Sequence, residues 1–138
     1  MDFGIKNIDN YTKDLGWVLK AIDQLEKEVQ HEKWKFSKPI DYKTAFQQVV
    51  LHLKAKLKEL IHKKGTTYLS QLLYNIDVSS SQVAKAIHQN SSADHEEILS
   101  ELIFRRCLQK VLIKSYYKVL QKEEFSKGIG NNNCNFFD

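Results

Sequence analysis

The chain has 138 residues, 42% of them apolar and 28% charged, a composition suited to one folded domain and unlike that of a disordered segment. A chain of this length buries enough surface to fold without a disulfide or a metal. With one proline and five glycines, it lacks the turn residues of a strand-rich fold and favours long helices.

No apolar run reaches the length of a membrane span, and no charged start leads into an apolar stretch near Met1, so neither a span nor a secretory signal is expected. Cys107 and Cys134 lie far apart and form no metal-binding or redox motif. Two free thiols fit a reducing, cytoplasmic setting. The net charge of +4 is unevenly spread. Residues 41–65 carry six bases against two acids, and residues 105–138 seven against three. Between them, residues 66–104 hold Lys85 alone against Asp77, Asp94, Glu96, Glu97 and Glu101.

The spacing of Tyr11, Leu15, Val18, Ile22, Leu25 and Val29 predicts a first helix from about Asn10 to Lys33, stopped by Ser37-Lys38-Pro39. Asp41 is the expected cap of a second helix, Tyr42 to Lys64, whose apolar row is Tyr42, Phe46, Val49, Leu53, Leu57 and Leu60. Gly65, after the cations His62, Lys63 and Lys64, reads as its left-handed C-terminus. A short third helix follows from Thr66 or Thr67 to near Asn75. Ser79 and Gln82 have capping-box spacing, with Val78 and Val83 as a staple, and start a fourth short helix over Ser80–Gln89. The last helix, about His95 to Glu123, is apolar from Ile98 to Leu120 on so wide a surface that it belongs at the centre of the fold. These elements predict an all-α, single-domain bundle of about five helices, three long and two short, over residues 1–125, with a flexible tail over 126–138.

The five histidines show neither HxxxH nor HxH spacing, and no glycine-rich phosphate loop or nucleophile elbow occurs. The adjacent pairs Glu96-Glu97 and Glu123-Glu124 point to different sides of a helix and do not form a shared proton-transfer site. No catalytic residue, metal ligand or cofactor is assigned, and the chain is not expected to be an enzyme.

The stretch from Leu72 to Ile87 resembles the core of a helix-turn-helix DNA reader, with Leu72, Ile76, Val78, Val83 and Ile87 at its apolar positions. The resemblance implies that Ser80, Ser81, Gln82 and Lys85 face DNA, with Gln82 able to pair with adenine. The stretch departs from the pattern at Asp77, where the motif usually carries glycine, and at Leu73, where it carries a small residue. The acidic excess of residues 66–104, in which it lies, also has the wrong sign for phosphate. A second resemblance, to small uncharacterised bacterial all-helical proteins, rests on Leu73, Tyr74, Ile76, Asp77, Val78 and Ser79, then Leu102, Ile103, Arg105, Gln109 and Lys110. That family has no assigned activity, so this resemblance implies a scaffold and makes Asp77 part of a structural turn.

Arg106, Lys110, Lys114, Lys118 and Lys122 recur every fourth residue and form a basic ridge, a candidate surface for an acidic partner. No membrane partner is expected, the face opposite the ridge belonging to the core. The function read from the sequence is a small non-enzymatic module acting through protein contacts, self-association included. A helix-turn-helix DNA-binding regulator is the alternative.

Overall fold

A computed structural model describes residues 8–126; the predicted tail, with Cys134, lies outside the described residues from 127 onward. Among the described residues there are four helices and no strand: α1 (Leu15–Glu28), α2 (Ala45–Ile76), α3 (Ser80–Gln89) and α4 (His95–Ser126), with a 3-10 turn at Gln30–Glu32. The class is all-α as expected, but the count is four where the sequence indicated five.

The missing helix was absorbed at Gly65. Its backbone departs from helical geometry, with φ 83° and ψ 176°, yet the chain resumes a helix at once and runs on to Ile76. Only glycine enters that region at low cost, so the sequence signal for a break was sound. What it could not show is that the two stretches are joined without a loop.

The other boundaries moved for local reasons. α1 starts at Leu15, not Asn10, because the Asp14 side chain caps it, accepting from the Trp17 N–H at 3.3 Å. It gives way after Glu28 to the 3-10 turn, and Lys33 at φ 59° ends the segment. Asp41 does not cap α2: its carboxylate takes the Lys43 N–H and the Thr44 hydroxyl and builds a turn, so the helix begins three residues late. Tyr42 is thereby left outside the helix and 52% exposed, although Val49, Leu53, Leu57 and Leu60 of the same predicted row are buried. α3 starts where expected, with both halves of its capping box formed.

α4 packs against each of the other three helices, which accounts for its wide apolar surface. It runs antiparallel to the first half of α2, since Lys54 meets Asp94 while Phe46 meets Phe104. It is also antiparallel to α1, since Lys110 meets Glu28 and Lys114 meets Gln24. The core gathers Val18, Ile22 and Leu25 of α1, Leu53, Leu57, Leu72 and Ile76 of α2, and Ile103, Phe104 and Leu108 of α4. Residues 33–44, between α1 and α2, run back beside α2. Glu32 lies next to Lys64 and Tyr68, and Phe36 packs on His52, before the chain enters the helix.

Candidate functional site

The basic ridge divides along its length. A row of every fourth residue winds by about 40° per step, so its two ends face different neighbours. Arg106 holds Asp77 at 2.7 Å and the Gln109 side chain at 2.7 Å. Lys110 pairs with Glu28, their side chains only 20% and 17% exposed. Lys114 donates to the buried Gln24 at 2.9 Å. These three fasten α4 to α1 and to the turn before α3, whereas Lys118 and Lys122 lie on the exposed surface. Buried Cys107 stands within this seam, and desolvation pushes its thiol up to about 12, leaving it a neutral packing group.

The stretch from Leu72 to Ile87 folds as the end of one helix and a second helix joined by a capped turn. α2 ends in a paired turn in which the Val78 N–H donates to the Leu73 carbonyl at 2.9 Å and the Asp77 N–H to the Tyr74 carbonyl at 3.1 Å. This is a Schellman end, and its left-handed position is Asp77, at φ 70° and ψ 48°. Asp77 therefore adopts the conformation for which glycine is favoured, and Arg106 holds its carboxylate. Three residues, Asp77 to Ser79, connect the helices, and Val78 is buried beneath them.

The candidate contact residues fare differently. Ser80, Ser81 and Lys85 are exposed, but the Gln82 oxygen accepts from the Ser79 N–H at 3.0 Å. Pairing with adenine needs both ends of that amide, and one is held by the cap. The acids of residues 66–104 are drawn elsewhere. Asp94 meets Lys54 at 3.0 Å and Lys58 at 3.3 Å, Glu97 meets Lys54 at 3.6 Å, and Glu101 meets Arg105 at 3.1 Å. Hydrogen bonds with Glu96 and Lys54 hold Asp94 well below the usual carboxylate range, and the Asp94 contact raises Lys54. The acidic segment and its basic flanks thus neutralise one another on folding.

One cluster escaped the sequence reading. The Glu32 carboxylate accepts from the Tyr68 hydroxyl and from Lys64 at 3.3 Å, with His31 at 3.7 Å from the same oxygen. The Lys64 ammonium sits 4.5 Å above the Tyr68 ring. The Tyr68 hydrogen bond leads the interactions that lower the Glu32 pKa. Lys64 and Tyr68 flank Gly65, so a single carboxylate grips both sides of the helix break. Their spacing of four residues is legible as one helical face, but nothing in the sequence points from it to Glu32.

Among the described residues no three His, Cys, Asp or Glu side chains gather as a metal site, and no helix is long and apolar enough to cross a membrane. A small cavity beneath α3, lined by Val78, Gln82, Leu102, Arg105, Arg106 and Gln109, has room for about one water molecule. The buried Nε of Arg106 has no hydrogen-bond partner.

What remains at the surface is a charge-poor face. From Thr66 to Ala84 the only charged side chain is Asp77, in a protein with 28% charged residues. Thr67, Ser70, Gln71 and Tyr74 follow helical spacing and are all exposed, Tyr74 by 79%. Ser80, Ser81 and Ala84 of α3 are exposed beyond the turn. No family model, curated protein or solved structure matches the chain.

Proposed function

We propose that this protein is a non-enzymatic helical module that works by binding another protein, or a second copy of itself, through the face centred on Tyr74. The carrying observation is the near absence of charge on that face together with an outward tyrosine. Charged residues are depleted in the cores of protein interfaces, and tyrosine is among their commonest anchors. A ring that remains 79% exposed gives the folded monomer little and has its surface available for a partner.

The test is capture from nuclease-treated lysate with the wild-type chain and Tyr74→Ala, alongside sedimentation of each alone. A partner, or a dimer, that is held by the first and lost by the second supports the reading. Equal capture by both removes it.

A second reading has one observation in its favour. The three-residue turn with Asp77 in the left-handed conformation meets the backbone requirement of a helix-turn-helix, and α3 contains no acid. A DNA-binding regulator would use Ser80, Ser81 and Lys85. Bound material that vanishes on nuclease treatment and weakens steeply with salt would favour it.

A further inference from the structure

The segment joining α1 to α2 has a chemistry that neither the ridge nor the helix–turn–helix unit shares. It reads Lys33-Trp34-Lys35-Phe36-Ser37-Lys38-Pro39-Ile40-Asp41-Tyr42-Lys43 and has no regular secondary structure from Trp34 to Asp41. Phe36 and Pro39 are buried and Trp34 is partly so, which pins the segment on the bundle beside α2. The Phe36 N–H is fixed by Glu26 at 3.0 Å. With Trp34, Phe36 and Pro39 turned inward, Lys33, Lys35, Lys38 and Lys43 are left exposed. None of the four has an ion-pair partner among the described residues, although nine bridges engage lysines and arginines elsewhere. Between the last two lysines stand Ile40, 92% exposed, and Tyr42, 52% exposed. The one acid here, Asp41, is bonded to the Lys43 N–H and the Thr44 hydroxyl.

We propose that this segment docks the protein on an anionic membrane surface, with Ile40 and Tyr42 entering the boundary between headgroups and acyl chains and the lysines facing lipid phosphates and carboxylates. Three arguments select a lipid surface over other acidic partners. Lysine is depleted at protein interfaces and arginine enriched, yet every cation here is lysine. Single-stranded nucleic acid wants several outward aromatics on which successive bases stack, but Trp34 and Phe36 are turned inward and Ile40 has no stacking face, which leaves Tyr42 as the one exposed ring of the segment. An extended segment held on a rigid bundle can lie along a flat surface, where each lysine adds attraction and one projecting aliphatic adds insertion. This docking differs from spanning, and it uses a surface remote in sequence from the ridge on α4.

The test is co-sedimentation of the full chain with vesicles of equal parts phosphatidylserine and phosphatidylcholine, and with vesicles of phosphatidylcholine alone. Binding is expected only to the first and should weaken steeply as salt is raised. Lys38→Gln should weaken it about fivefold and Ile40→Ser about tenfold. Lys118→Gln on α4 should leave it unchanged. All three positions are exposed, so unchanged thermal melts are expected and a loss of binding cannot be assigned to unfolding. Equal binding to both vesicles, no binding at low salt, no effect of Ile40→Ser, or an equal effect of Lys118→Gln would each overturn the proposal. So would affinity for oligothymidylate or polyglutamate, lost with the same substitutions, in the absence of vesicle binding.

Discussion

Replacing Gly65 with alanine separates two descriptions of α2 by the sign of the effect. In a regular helix interior the change stabilises by about 1 kcal/mol, since alanine has the better propensity. At φ 83° and ψ 176° an L residue is instead strained by about 1–3 kcal/mol. The loss of unfolded-chain entropy returns about 0.4–1 kcal/mol of that. The expected net is a destabilisation of about 1–2 kcal/mol. No packing contribution complicates the result, because a Cβ at this position meets nothing within 4 Å. The assay is urea unfolding followed by far-UV circular dichroism, read as a lower midpoint at unchanged slope. A midpoint that stays level or rises would mean that α2 is continuous through Gly65, and the corner held by Glu32, Lys64 and Tyr68 would lose its basis.

Glu28→Ala strands Lys110, which is 20% exposed, and should destabilise by about 3 kcal/mol, whereas Lys118→Ala on the same row should change stability by less than about 0.5 kcal/mol; urea midpoints of the two variants compare them directly. Asp94 and Glu32 are both held below their ordinary values, so the unfolded chain binds more protons than the folded one as pH falls. Stability should be level near neutral pH and decline below about pH 4, the range of ordinary carboxylates, and Asp94→Asn should flatten that acid limb in a series of urea titrations. In a Cys134→Ser background, Cys107 should resist a disulfide-exchange reagent at mildly alkaline pH until the chain unfolds, because its thiol is buried and pushed up to about 12; rapid labelling of the folded protein would contradict that burial.

Much of the fold was legible because periodicity and capping are local. Ser79 and Gln82 placed α3 to the residue, since the two hydrogen bonds that start it involve side chains three positions apart. Val18, Ile22, Leu25 and Val29 were read as one buried face and are one. Errors arose where two local rules competed. Asp41 was read as a helix cap, but a turn three residues earlier took the same carboxylate. Gly65 was read as an end, but a glycine that leaves helical geometry can also be a corner within one element.

The charge map failed for a different reason. Counting charges by segment assigned residues 66–104 an acidic character that the folded surface does not present, because pairing crosses segments. Asp94 is neutralised from α2 by Lys54 and Lys58, and Asp77 from α4 by Arg106. The same crossing removes Arg106, Lys110 and Lys114 from the ridge and leaves Lys33, Lys35, Lys38 and Lys43 as a concentration of unpaired cations, three of them in residues 1–40, where seven bases balance seven acids, and Lys43 at the start of the basic segment that follows. A charge in this protein is therefore available to a partner according to what lies across the bundle from it. That places the charge-poor face at Tyr74 and the cationic segment at Ile40 on separate elements, so loss of one contact should leave the other intact.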